Sequence, residues 1–185
     1  VCSMGDLFHE DVPFEFVDNV MDVISKTPQH TYQLLTKRAE RMAEYFSSRL
    51  IPLNVWLGVT VEDTLTKYRI DFLRNLSAQV KFLSCEPLLC DLGELDLEGV
   101  DWIIVGGESG PIARPMKEEW VLNIKRQAEQ KSIPFFFKQW GTWSKEGVKG
   151  NKKKNGKLLQ GEVIQQMPKV VHENFRNKDQ TKFWE

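Results

Sequence analysis

Charged and polar side chains follow each short apolar run of this sequence, and their types suit the binding of a charged ligand. Carboxylates, lysines and arginines form charge-assisted hydrogen bonds with carboxylate, phosphate or amino groups. The residues in these positions are Ser3, Asp6 and His9; Thr36, Lys37 and Arg38; Thr60, Glu62 and Asp63; Ser84 and Glu86; Glu108, Ser109 and Arg114; and Lys138, Gln139 and Trp140. Any one of them alone would be a cap or a surface group. Together they predict a common polar site.

Glu86 is the residue that most clearly requires a partner, because it follows a run that should be a buried strand. A buried carboxylate needs a cation or a hydrogen-bond donor to stay charged. The candidate partners are Lys37, Arg38, Arg114 and Lys138. Two interpretations stay open: a structural ion-pair network, or a clamp in which Lys and Arg hold the carboxylate or phosphate of a ligand.

The segment Gly106-Gly107-Glu108-Ser109-Gly110 follows another apolar run. Its glycines could let backbone N–H groups approach a ligand closely, and a simple turn is the alternative. The spacing fits neither a phosphate-binding P-loop nor a dinucleotide fingerprint, so we do not expect nucleotide binding by those two routes.

The histidines and cysteines form no pattern typical of a metal centre. The three histidines are scattered, and the chain has no G-x-S-x-G elbow of a serine hydrolase. Cys2, Cys85 and Cys90 are an odd number of thiols at unrelated spacings, which predicts ordinary buried thiols and no metal site. Cys85 could still lie near the polar site, since it stands between Ser84 and Glu86.

The apolar runs alternate with helical periodicity, which predicts βαβ units and a parallel sheet. The runs are Val1-Ser3, Thr31-Thr36, Val55-Val61, Val80-Ser84, Trp102-Val105 and Pro134-Lys138. Helical spacing lies at residues 16–24, 39–46, 65–76 and 120–128, whereas residues 88–101 look like a loop. The 185 residues fall short of the roughly 250 of a complete eightfold barrel, and the chain begins inside an apolar run. We therefore expect an α/β fold that is part of a parallel (β/α) barrel, with the strand ends converging on one mouth.

The alternation stops near Gly141, and we place a domain boundary between residues 1–143 and 144–185. Residues 145–161 are rich in Lys, Gly and Asn, and Gly156 and Gly161 indicate a hairpin. The run Lys152-Lys153-Lys154 could contact a phosphate backbone, but the sequence favours a solvated loop. The polar tail after His172 is expected to be a helix or a loosely attached extension.

The chain has 25 basic and 26 acidic residues and a net charge of −1. Its overall charge therefore does not attract it to nucleic acid or to an anionic membrane. No apolar run approaches the ~18 residues of a membrane span, so we expect a cytoplasmic protein without membrane contact. An incomplete barrel would expose sheet edges at Val1-Ser3 and Pro134-Lys138, which invites self-association or coverage by the tail.

Six ordered segments resemble one family across about residues 1–168. They are Ser3-Met4-Gly5-Asp6-Leu7-Phe8-His9; Thr27-Pro28-Gln29-His30-Thr31 with Leu35-Thr36-Lys37-Arg38; Val55-Trp56-Leu57-Gly58-Val59-Thr60-Val61-Glu62; Phe82-Leu83-Ser84-Cys85-Glu86-Pro87-Leu88; Val105-Gly106-Gly107-Glu108-Ser109-Gly110 with Ala113-Arg114-Pro115; and Phe136-Phe137-Lys138-Gln139-Trp140-Gly141. The chain resembles the phage and bacterial "phage Gp37/Gp68-like" proteins, which look like radical S-adenosylmethionine enzymes.

The resemblance implies a barrel enzyme that uses S-adenosylmethionine and a [4Fe–4S] cluster, with the cluster thiolates in a Cys-rich segment ahead of Val1. It implies cofactor contacts for Asp6 near the amino group, Glu62 near the ribose, and Glu86 and Glu108 toward the carboxylate or substrate. Substrate contacts are then expected from Lys37, Arg38, Arg114, Lys138, Gln139 and Trp140. The chain would be the C-terminal part of such an enzyme and inactive alone.

Two other functions stay open. The barrel could bind a small ligand or a nucleic-acid component without catalysis, or it could be an unrelated hydrolase or lyase that uses Glu and Lys as acid and base. The substrate is expected to be a small molecule or derived from nucleic acid.

Overall fold

The computed structural model describes residues 5–169, and its centre is a five-stranded, fully parallel sheet. The strands lie side by side in chain order: β1 Tyr32–Thr36, β2 Val55–Thr60, β3 Val80–Cys85, β4 Trp102–Gly106 and β5 Phe135–Gln139. Each corresponds to a predicted apolar run, which confirms the parallel α/β architecture. The predicted strand at Val1-Ser3 lies outside the described residues.

Helices fill most of the connections, as the helical spacing predicts. They are α1 Phe14–Ser25, α2 Ala39–Phe46, α3 Arg69–Arg74 and α4 Glu118–Gln130. The prediction of a helix at residues 65–76 is wrong for its first turn. Thr64–Thr66 forms a separate 3₁₀ turn there, and Leu65 is 83% exposed. The Asp63 side chain accepts from the backbone N–H of Thr66 and caps this turn, so the α-helix starts only at Arg69. Among residues 5–169 we find no helix with the length and apolarity to cross a bilayer.

The two faces of the sheet differ. Side chains alternate along a strand, and one set, including Leu57, Leu83, Ile103 and Phe137, is fully buried in the same core as the helices. The opposite face carries a separate cluster of Trp56, Val80, Phe82 and Trp102, with Ile104 and Phe136 packed against it, and no helical residue belongs to that cluster. An apolar, largely aromatic floor therefore lies on the face away from the helices.

Glycine at position 58 makes this aromatic floor continuous. A Cβ atom there would lie 2.4 Å from the Phe82 ring, so the ring can lie across β2 only because residue 58 has no side chain.

Residues 144–169 pack on the end of the sheet. The short helix α5 Lys152–Asn155 precedes the predicted hairpin, whose strands are β6 Leu158–Leu159 and β7 Glu162–Val163. The segment after it covers β5, because the N–H of Phe137 donates to Ile164 O at 2.7 Å and the N–H of Gln166 donates to Phe135 O at 3.1 Å. Of the two outcomes expected for the edge at Pro134-Lys138, self-association or coverage, the structure shows coverage by residues 164–166 of the same chain. Residues 88–101 form a loop, as predicted.

Candidate functional site

The carboxyl ends of all five strands point to one edge of the sheet, and a cavity of about 1150 Å³ lies there and over the aromatic floor. We call it the mouth cavity. Its charged lining residues are Asp6, Lys37, Arg38, Glu86 and Lys138. Its apolar lining residues are Leu35, Phe82, Trp102, Ile104 and Phe136. Three other cavities on the described chain, of about 420 to 490 Å³, are each less than half as large. Predicted site residues from five separate segments, with Thr60 at the end of β2 among them, therefore meet in one space.

Asp6 is held by hydrogen bonds from the end of β1, from the two residues after it, and from Phe8 in its own segment. Its carboxylate accepts from the Thr36 hydroxyl at 2.7 Å, from the backbone N–H groups of Phe8 and Lys37 at 3.0 Å each, and from the Arg38 guanidinium at 3.2 Å. Burial opposes ionisation, but the bonds from Thr36, Lys37 and Phe8, helped by the Arg38 charge, outweigh it and keep the pKa of Asp6 below its usual value. Asp6 therefore stays charged while tying the segment before α1 to the end of β1.

Glu62 follows β2 and joins two cations. Its carboxylate accepts from Lys37 Nζ on one oxygen and from Arg69 at 3.0 Å on the other, and Arg69 also donates to the Thr60 carbonyl at 2.8 Å. Arg69 is a site residue that sequence reasoning missed, because it lies inside a helical pattern where an arginine normally faces solvent. Glu62 itself is not among the residues that line the mouth cavity.

Glu86 follows β3 and accepts hydrogen bonds from two residues of β5. Lys138 Nζ donates to it at 2.9 Å and the Gln139 amide at 3.3 Å, and the same amide reaches Ser109 Oγ at 3.3 Å. A Cβ atom on Gly106 would lie 3.1 Å from the Glu86 side chain, so the glycine leaves room for this carboxylate. Of the cations expected to partner Glu86, the structure therefore selects Lys138.

Glu108 and Arg114 form a two-pronged pair within the loop after β4. Arg114 Nε and a terminal nitrogen each donate at 2.9 Å to one carboxylate oxygen, and the Arg114 backbone N–H adds a bond at 2.8 Å. The Arg114 side chain and backbone donors lower the pKa of Glu108 to about 2. Neither residue is among those that line the mouth cavity.

In the loop of residues 106–110, Gly107 allows close packing of the backbone and does not bring its N–H group to a ligand. Its N–H donates to the Gln139 carbonyl at 2.9 Å, and a Cβ atom there would lie 1.9 Å from the Trp140 carbonyl oxygen. Trp140 is 2% exposed and donates its indole N–H to Leu158 O at 2.8 Å. The structure thus places the expected substrate contact Trp140 in the core. Gln139 is also buried, with its amide on Glu86.

The described cysteines, Cys85 and Cys90, are not among the residues that line the mouth cavity. Cys85 is fully buried on the helix side of β3, and burial, with a smaller effect of the Glu62 charge, raises the pKa of its thiol to about 12. Cys90 is half-buried and unpaired, and Cys2 lies outside the described residues. Within residues 5–169 no group of three or more His, Cys, Asp and Glu side chains could hold a metal ion.

Sequence reasoning also missed the apolar floor of the site. Leu35 and Ile104 belong to apolar runs and were assigned no ligand-facing role, yet both line the mouth cavity beside Phe136. The signal was present in the alternation of each strand, since every second residue faces away from the helices.

Fold and site together define a parallel α/β protein with a charged, apolar-floored cavity at the carboxyl ends of its strands. The chain belongs to the family described as "Protein of unknown function (DUF5131)", whose model matches residues 1–168. No curated protein and no solved structure matches the chain.

Proposed function

We propose that the protein is the C-terminal part of a radical S-adenosylmethionine-like barrel enzyme, and that the mouth cavity holds S-adenosylmethionine and the adjoining substrate. The observation that carries the proposal is the mouth cavity itself, which combines both signs of charge with an apolar floor. Five parallel strands in consecutive order are the arrangement of a (β/α) barrel segment, and barrel enzymes carry their sites at the carboxyl ends of the strands. The phage Gp37/Gp68-like relationship is part of the same proposal.

The lining residues fit the groups of this cofactor. S-adenosylmethionine has a carboxylate, an ammonium and sulfonium centre, and a flat adenine ring. Lys138, whose side chain is 51% exposed, would bind the carboxylate, and Glu86 beside it would face the cationic groups. The floor of Leu35, Ile104 and Phe136 would cover the flat ring. With an electron supplied by the cluster of the upstream segment, the cofactor would provide radical chemistry, and these residues would orient it and limit its contact with water.

The described residues do not fit an iron–sulfur cluster, because they contain no group of three ligating side chains and Cys85 is a buried thiol. In the proposal the thiolates come from the Cys-rich upstream segment of the family. Reconstitution with iron and sulfide under anaerobic conditions should leave this chain colourless and turn an upstream-extended chain brown. A cluster in the present chain that is lost on Cys2→Ala, Cys85→Ala and Cys90→Ala substitution would contradict this assignment. A colourless extended chain would leave the purely binding function ahead.

Cofactor binding to the mouth cavity can be tested without the cluster. Isothermal titration of this chain with S-adenosylmethionine should give saturable binding, and Leu35→Arg should weaken it about tenfold or more by blocking the floor. Leu35 is 40% exposed, so the larger side chain has room to avoid unfolding the strand. Leu53→Arg, at a 77% exposed position that does not line the cavity, is the matched control and should bind like the wild type. Equal affinities for all three proteins, or no binding at all, would reject the cofactor site.

A cytoplasmic location is also proposed. It is supported by the unpaired state of Cys85 and Cys90, since an oxidising compartment favours paired thiols.

A further inference from the structure

We infer that the lysine-rich segment of residues 145–157 is a contact surface for the phosphate backbone of a nucleic acid. Six of the chain's 25 basic residues lie in these 13 positions, against a single acidic residue, Glu146. The lysines are Lys145, Lys149, Lys152, Lys153, Lys154 and Lys157, and all are exposed. The chain as a whole is nearly neutral, so this is a local concentration of positive charge.

The lysines of α5 are not neutralised by the protein. Lys145 lies 3.8 Å from Glu146, but no carboxylate within residues 5–169 is in ion-pair distance of Lys152, Lys153 or Lys154. This contrasts with the mouth cavity, whose lining carboxylates Asp6 and Glu86 each have a cation, Arg38 and Lys138. Unpaired like charges at adjacent positions repel one another, and a polyanion that neutralises them binds with the release of its counterions.

The segment is also fixed in place, unlike a solvated loop. The Asn155 amide donates to the carbonyls of Gly141 at 3.0 Å and Thr142 at 2.9 Å. The Asn151 side chain caps α5 by accepting from the Lys153 N–H at 2.8 Å, and the Trp140 N–H donates to the Gly156 carbonyl at 3.2 Å. The lysines are therefore presented from an ordered backbone, which lowers the entropy lost on binding.

Several of these lysines share one concave surface. A cavity of about 480 Å³ is lined by Lys145, Lys149 and Lys154, with Glu146 the acidic residue among its lining. Lys149 Nζ also lies 5.9 Å from the centre of the Trp143 ring and donates to the Pro111 carbonyl at 2.6 Å. A concave site with several ammonium groups suits successive phosphates of a strand better than a single ion.

The position of the segment favours nucleic acid over an anionic membrane. Its anchors, Trp140, Gly141 and Thr142, directly follow the carboxyl end of β5, on the same edge of the sheet as the mouth cavity. A strand held by these lysines would pass the edge where an aromatic-floored cavity could receive a base. The one-turn helix α5 has no buried residue and offers no apolar face for insertion into lipid.

The test is fluorescence anisotropy of the chain with a labelled single-stranded DNA, the same sequence as RNA, and the duplex. The wild type should bind at about 50 mM salt, with an affinity that falls steeply by about 200 mM. The variant Lys152→Gln/Lys153→Gln/Lys154→Gln should bind about tenfold more weakly. The slope of its plot of log affinity against log salt concentration should be less steep by about 2. Each of the three lost phosphate contacts contributes about 0.7 to that slope on a single strand.

The matched control is Lys26→Gln/Lys131→Gln/Lys169→Gln. It removes the same charge at exposed positions; Lys131 and Lys169 line a different cavity together with Val80 and Pro134, near the amino ends of β3 and β5. Its affinity should stay within about twofold of the wild type, and unchanged thermal melting of both triple variants confirms that they fold. Equal weakening in both, or no binding to any nucleic acid, would overturn the inference. Lysine-dependent binding to phosphatidylserine vesicles without binding to nucleic acid would also overturn it and assign the surface to membranes.

Discussion

The two halves of the mouth hold the same kinds of charges in different ways. On the β1–β2 side the carboxylates of Asp6 and Glu62 are each 14% exposed, and the Arg69 partner is 12% exposed. The other two cations of that side, Lys37 and Arg38, are 45% and 37% exposed. On the β3–β5 side the carboxylates are slightly more open, and both cations are open to solvent: Lys138 is 51% and Arg114 is 60% exposed. A cation that water already reaches can exchange its partner for a ligand at little cost, whereas an enclosed one cannot. The first half, through its enclosed Glu62–Arg69 pair, is therefore expected to maintain the fold, and the second half to bind.

The largest expected effect is on the enclosed half. Glu62→Ala leaves Arg69 buried without its carboxylate, and we expect a loss of about 3 kcal/mol in the free energy of unfolding, since breaking a buried pair leaves an uncompensated charge. Urea denaturation with an unchanged slope would measure it. Glu98→Gln, at an exposed position, is the control and should change stability by less than about 0.5 kcal/mol. A loss below about 1 kcal/mol would remove the distinction between the two halves.

Asp6→Asn should lower the free energy of unfolding somewhat less, by about 2 kcal/mol. The asparagine keeps one acceptor oxygen, but the Phe8 and Lys37 N–H groups lose a charged partner and Arg38 loses its ion pair. Thermal melting at neutral pH would show the loss. Wild-type stability with weaker S-adenosylmethionine binding would instead move Asp6 from the structural half to the ligand.

The sequence predicted much of this arrangement because parallel strands place all their carboxyl ends at one edge. Asp6, Lys37, Arg38, Glu86 and Lys138, named from their positions after apolar runs, all line one cavity. Strand bounds were also predictable, since short β-branched and aromatic runs between helical segments have few alternative structures.

The partner of each charged residue and the depth at which each site residue is buried could not be predicted in the same way. Glu86 had four candidate cations in the sequence, and only the register of β4 against β5 shows that Lys138 and Gln139 reach it. Trp140 follows a strand like the true cavity residues, but the hairpin that buries it comes from residues far along the chain. The bend after Glu62 that lets Arg69 return to it depends on a three-residue turn too short to give a periodic signal.

For the open half, the expected effect is on binding rather than on folding. Glu86→Gln should weaken S-adenosylmethionine binding about tenfold, since it removes the charge that faces the cationic groups, while stability changes by less than about 1 kcal/mol. Titration calorimetry and urea denaturation on the same preparation separate the two quantities. Unchanged affinity with a large fall in melting temperature would assign Glu86 to structure, as in the other half.

The smallest effect is expected at Glu108, and it should depend on pH. The Arg114 side chain and backbone N–H hold the pKa of Glu108 at about 2, below its ordinary 4.5. A lowered pKa in the folded state means that the pair stabilises the protein fully above about pH 4.5 and loses that contribution as the pH falls toward 2. Because the pair is open to solvent, we expect Glu108→Gln to cost only about 1 kcal/mol at pH 7. That difference from the wild type, measured by urea denaturation, should shrink markedly by pH 3. A difference that stays constant from pH 7 to pH 3 would show that the shape of the carboxylate, and not its charge, supports the loop after β4.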